Sequence, residues 1–105
     1  MRFRRELLKG CLRTLILRVL ADQPSYANKI RRILDEQSAG AFHIPEGTIY
    51  SVLHRLEDKG LIASEPREDG MKVYRLTGEG KRELEYSLRE WRMFSRAMDV
   101  ALGGK

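Results

Sequence analysis

Between Ile44 and Leu61 lies a set of hydrogen-bonding side chains of moderate reach: Thr48, Tyr50, Ser51, His54 and Arg55. No Ser/His/Asp or Cys/His set, carboxylate pair or glycine-rich phosphate loop accompanies them, so the chemistry they suit is recognition rather than catalysis. His43 and His54 are the only histidines, too few and too isolated for a metal site, and neither a metal nor a cofactor is expected. Donors and acceptors at this spacing can meet a polar, patterned surface if one element holds them all on one side.

That element is a helix over residues 45–59. Pro45 suits a first turn, where a missing N–H costs nothing, and Glu46 complements the positive end of the dipole. Gly60 suits the stop. Ile49, Val52, Leu53 and Leu56 recur at helical spacing and form one apolar stripe, which leaves Thr48, Ser51, His54 and Arg55 on its flank and back. Such a polar back is common on surface helices, and the residues after Gly60 add weight to it. Leu61–Arg67 reads as a strand, Glu68-Asp69-Gly70 as a hairpin turn, and Met71–Thr77 as the returning strand. Helix 45–59 joined directly to hairpin 61–77, after two earlier helices, is the winged helix-turn-helix order.

A length of 105 residues fits one compact unit. A hydrophobic content of 42% against 33% charged residues is ordinary for a globular protein. Cys11 stands alone, which excludes an internal disulfide and suits a reducing cytoplasm; its apolar helical setting marks it as core filler rather than nucleophile. Lys9, Arg13 and Arg18 interrupt the apolar runs near the start, so neither a signal peptide nor a membrane span is expected, and the reading is cytoplasmic. The net charge of +5 favours a polyanionic partner. Its excess lies in residues 1–39, which carry nine Lys/Arg against four Asp/Glu, whereas residues 40–76 carry five against six.

The first helix is expected over about Arg4 to Ala21. Leu8, Leu12, Leu15, Ile16 and Val19 make its stripe, and Leu7, Cys11 and Leu20 widen it beyond one contact face, so it must pack on more than one neighbour. Arg2, Arg4 and Arg5 with Phe3 form a basic arm, either frayed or lying along phosphates. Pro24 breaks the chain and Ser25 is the expected N-cap of a second helix, Tyr26 to Gln37. Phe42-His43-Ile44 is expected to add a third strand to the hairpin. Thr77 should cap a last helix from Gly78 to Leu102, striped by Leu84, Leu88, Trp91, Phe94, Met98 and Leu102. About 25 helical residues span roughly 37 Å, more than so small a core covers. The surplus apolar face is expected to pair across a homodimer, anchored on Trp91 and Phe94.

Two segments resemble the PadR family of transcriptional regulators, in its short subfamily: Gly47-Thr-Ile-Tyr50-Ser-Val-Leu53-His-Arg-Leu56-Glu-Asp-Lys-Gly60-Leu-Ile62 and Lys72-Val-Tyr74-Arg-Leu-Thr77-Gly-Glu-Gly80. The resemblance covers about Leu8 to Leu102. It implies a mainly α (α+β) fold, with residues 1–77 a winged helix-turn-helix DNA-binding domain and 78–105 a C-terminal dimerisation helix and tail. It implies DNA contacts from Tyr26, Thr48, Tyr50, Ser51, His54, Arg55 and Lys72. Arg55 would meet either a guanine edge or a phosphate, Tyr50 either the groove or the wing, and Lys72 a phosphate at the hairpin tip. The family's proline after the tyrosine is here Ser51, which puts the family's sequence preference in question for this chain. Leu8, Leu12, Leu88, Trp91, Phe94 and Met98 fall at the implied dimer interface. There Trp91 either stacks on a small aromatic effector or only packs the dimer. Arg89, Arg92 and Arg96 oppose a cationic ligand, with Glu90 and Asp99 partly offsetting them.

The expectation is therefore a homodimeric repressor binding double-stranded DNA at a pseudo-palindrome, and no enzyme. The alternative is a winged-helix protein-interaction module without specific DNA binding, for which the near-neutral middle third argues.

Overall fold

The computed structural model describes residues 5–104, so the arm residues Arg2, Phe3 and Arg4 lie outside the described residues. Six elements run in order: α1 (Arg5–Asp22), α2 (Ala27–Gln37), α3 (Glu46–Asp58), β1 (Ile62–Pro66), β2 (Lys72–Leu76) and α4 (Gly78–Ala101). This is a mainly helical winged helix fold. No helix among the described residues is long and apolar enough to cross a membrane.

Helix α1 is the hub. Leu12, Ile16 and Leu17 are fully buried, and α1 touches α2, α3, α4 and β2, which is why its apolar residues wrap most of its circumference. Helix α2 brings Ala27, Ile30 and Leu34 to this core, and α3 brings Ile49, Val52, Leu53 and Leu56. Burying each such branched side chain is worth about 1.5–3 kcal/mol.

The hairpin pairs antiparallel from Ile62 opposite Leu76 to Pro66 opposite Lys72. Its turn is closed by the Arg67 amide donating to the Met71 carbonyl at 2.6 Å, with Gly70 at a φ of +84°. A third strand position is filled, but not by Phe42–Ile44. Ser25 pairs with Tyr74, each amide donating to the other's carbonyl at 3.0 and 2.8 Å. The residues 42–44 are irregular, and Ile44 is buried. The physical reason is that Pro24 prevents α1 from running straight into α2, which leaves an extended residue beside β2 with free backbone groups. Ser25 is thereby spent on the sheet: the N-cap of α2 is Tyr26, without a side-chain cap.

Where α3 ends, the wing and α4 are joined to it. Gly60, at a φ of +76°, donates to the Glu57 carbonyl and Leu61 donates to that of Leu56, both at 3.0 Å. These two bonds make a Schellman closure. The Thr77 hydroxyl then donates to the Gly60 carbonyl at 2.7 Å and accepts from the Gly80 amide at 3.0 Å, capping α4. The Thr77 amide donates to the Leu61 carbonyl at 3.1 Å. Gly80 lies so close that a Cβ there would overlap the Leu61 carbonyl oxygen and press on Leu76.

Helix α4 leaves the core part-way along. Leu84 and Ser87 are buried and Leu88 is half-buried. Beyond it Trp91, Met93, Phe94, Met98, Val100 and Leu102 are all exposed, and the molecule is 54 Å in its longest dimension.

Because backbone rather than a flexible side chain opposes Gly80, Gly80→Ala should lower stability by about 2–3 kcal/mol. The check is a shift of the urea midpoint at unchanged m-value.

Candidate nucleic-acid interface

With Ile49, Val52, Leu53 and Leu56 sunk in the core, the 100° step per residue decides where the polar residues of α3 go. Ser51 and His54 stand opposite the stripe and are exposed, as are Thr48 and Arg55 on one flank. Tyr50 is on the other flank and 49% exposed. That second flank faces the wing, because Glu57 on the same side accepts a hydrogen bond from Ser64 of β1. Tyr50 thus lies between open surface and wing.

Each predicted side chain has its own supporting element. His54 Nε2 is 3.4 Å from the Asp58 carboxylate one turn on, so a ligand group approaching His54 meets an acid beside it. Lys72 is exposed at the base of the turn, opposite Pro66. Tyr26, half-buried at the start of α2, comes directly after the Ser25–Tyr74 pairing. Thr48, Ser51, His54 and Arg55 therefore share one helix face, with Tyr50 on its wing side and Lys72 out on the wing itself. The near-neutral count of this segment is local, since Arg75 lies 3.9 Å from Glu65 and His54 faces Asp58.

The Arg55 flank opens onto a cavity of about 520 Å³ between α1, α3 and α4. Lys9, Arg13 and Lys59 also line it. Sequence reasoning did not single out Lys9 or Lys59, which the fold brings to the same cavity as Arg55. The spacing of four between Arg55 and Lys59 was the available signal for Lys59, whereas nothing in the sequence brings Lys9 of α1 beside α3.

A second, more apolar cavity of about 680 Å³ runs between α1 and the exposed part of α4. Leu88, Trp91 and Phe94 line it with Leu7, Leu15 and Phe42. The Trp91 and Phe94 rings lie 6.4 Å apart at a tilt of 34°. Cys11 is half-buried in this wall, a free thiol rather than core filler. Of the predicted interface residues, Leu8 is half-buried and Met98 exposed, but Leu12 is 2% exposed within the chain's own core. Leu12 cannot serve a partner, because its position in the α1 stripe faces inward. Among the described residues no three His, Cys, Asp or Glu side chains converge as a metal site.

Tyr74 joins the wing to this surface. Burial pushes its phenol above the ordinary value of 10.0, and the Glu57 carboxylate and Tyr50 push the same way. The folded state therefore favours the neutral phenol. Its contribution should be complete below about pH 10 and fade as pH rises through the folded value. Urea midpoints measured from pH 8 to 11 should fall more steeply above pH 10 in the parent than in Tyr74→Phe.

Comparison with known proteins places this geometry in context. Residues 16–86 match the Transcriptional regulator PadR-like family. A transcriptional regulator of Mycobacterium tuberculosis is 34% identical over 104 residues, covering 96% of this chain and 92% of that protein. The crystal structure of a PadR family transcriptional regulator from Eggerthella lenta is 32% identical, with a TM-score of 0.83 over 92% of this chain and 86% of that one. A transcriptional regulator from Clostridium thermocellum superposes with a TM-score of 0.88 at 27% identity, over 93% and 96% of the two chains.

Proposed function

The chain belongs to the PadR-like family of transcriptional regulators, and on that premise we propose that it acts as a homodimeric repressor of a pseudo-palindromic operator. The observation that carries this reading is the division of α3 into a face sunk in the core and an opposite face of exposed Thr48, Ser51, His54 and Arg55. A rigidly seated helix with a free polar face is what entry into a major groove requires. Tyr26, Tyr50 and Lys72 extend the contact toward the flanking backbone. Residues 1–77 carry the reading, and residues 78–105 carry self-association.

The second protomer is called for by α4. Trp91, Phe94 and Met98 are 50%, 56% and 42% exposed on consecutive turns, an apolar surface that a monomer in water seldom keeps. Pairing two such helices would set two α3 helices about one turn of DNA apart. Occupying a promoter would repress it. A small aromatic effector stacked on Trp91 at the dimer centre would release it only by binding better to a dimer whose spacing no longer fits DNA. The rival reading, a protein-interaction module, rests on the near-neutral charge of residues 40–76.

Selection of bound sequences from a random duplex pool at two salt concentrations separates these readings. A two-fold symmetric motif that survives the higher salt is expected; binding without any motif that vanishes as salt rises would favour the rival. The Arg55→Ala/Lys72→Ala double variant should lose duplex affinity by about tenfold or more, since each side chain supplies a charged contact. Trp91→Ser/Phe94→Ser should sediment as a monomer with its helical circular dichroism retained, because both rings lie outside the core.

A further inference from the structure

The cavity beside Arg55 combines charges that the sequence keeps far apart. Lys9 comes from α1, Arg55 from one edge of α3 and Lys59 from its C-cap, a single turn further on. Arg13, the fourth cation, is already neutralised: its guanidinium lies 3.0 Å from the Glu83 carboxylate, whose same oxygen accepts the Ser87 hydroxyl at 2.9 Å. Among the described residues, Lys9, Arg55 and Lys59 take part in no ion pair, and all three are exposed. Two acids, Glu6 and Glu90, also line this space, but both line the apolar cavity as well. They therefore mark the seam between the two cavities, while the cations lie on the side of α3.

Resting on the DNA-binding reading above, we propose that Lys9, Arg55 and Lys59 form a seat for one backbone phosphodiester of the bound duplex. Arg55 then positions the protein on DNA instead of reading a base. Two ammonium groups and one guanidinium lining one open cleft from two sides suit a tetrahedral anion. A guanine edge is planar and would have to enter the groove, on the side of α3 where Ser51 and His54 stand. With α3 in the major groove, its Arg55–Lys59 edge faces the bordering strand, and Lys9 closes on that strand from α1. Base discrimination is left to Tyr50, Ser51 and His54, and α1 becomes part of the docking surface.

The test measures duplex affinity against salt for the intact protein and for Lys9→Ala, Lys59→Ala, Arg55→Ala and Arg55→Lys. Lys81→Ala, the same charge change outside the cleft, is the control. The selected duplex and a panel with single base changes are used throughout. Each alanine variant of the seat should bind about tenfold more weakly near 0.1 M salt, equally across the panel, with a salt slope shallower by about one. Arg55→Lys should restore most of the loss, because a point charge serves a phosphate but not a bidentate base contact. Relaxed preference at one base pair in both Arg55 variants would overturn the proposal, assigning Arg55 to base reading. Inorganic phosphate at constant ionic strength should leave binding unchanged; displacement of the duplex by submillimolar phosphate, abolished in Lys9→Ala, would make a free anion the occupant and also overturn it. A parent protein that binds no duplex sinks the DNA-binding reading itself. A parent that binds, with seat variants matching Lys81→Ala, sinks only the seat.

Discussion

The Thr77 hydroxyl holds the C-terminus of α3, the base of the wing and the N-terminus of α4 at one point. It donates to the Gly60 carbonyl and accepts from the Gly80 amide, while the Thr77 amide meets the Leu61 carbonyl. Helix N-termini leave unsatisfied amides, and here one side chain caps the first turn of α4 while it binds the Gly60 carbonyl just past the end of α3. The absent Cβ of Gly80 is what permits the approach. This joint helps fix the end of α3, the wing carrying Lys72 and the direction of α4 relative to one another.

That joint also explains how α4 serves two purposes. Its first turns complete the core through Leu84 and the Ser87–Glu83–Arg13 chain. Its later turns, from Trp91 on, carry apolar residues that the described residues leave largely exposed. The inner half of α4 is tied both to α1, which in turn packs on α3, and to the Thr77–Gly80 joint. The apolar cavity beside Trp91 and the cationic cavity beside Arg55 share Gly10 and Thr14 of α1 and Ser87 of α4 as a common wall. The two cavities therefore adjoin.

Counting charge along the chain leaves out what folding brings beside the middle third. Residues 40–76 are close to neutral, yet the cavity flanking α3 gathers Lys9 and Arg13 from the basic first third. Glu83 then removes Arg13 from play. Coulomb interactions depend on distance in space, and a helix that runs beneath α3 lends it charges from some forty-six positions away.

The sequence by itself determined what short-range physics controls. Gly60 at a left-handed stop, Thr77 as an N-cap, the Asp69-Gly70 turn and the 3.6-residue stripe of α3 are all readable because their causes lie within a few residues. The exposed set Thr48, Ser51, His54 and Arg55 came out of that stripe. What only the tertiary structure decided depended on who packs beside whom. Ser25 went to the backbone of Tyr74 rather than to the cap of α2, Phe42–Ile44 stayed out of the sheet, Leu12 turned into the core, and Lys9 arrived beside Arg55. Periodicity says that a residue faces some partner; it does not say which one, because that choice is made by the summed packing of distant elements.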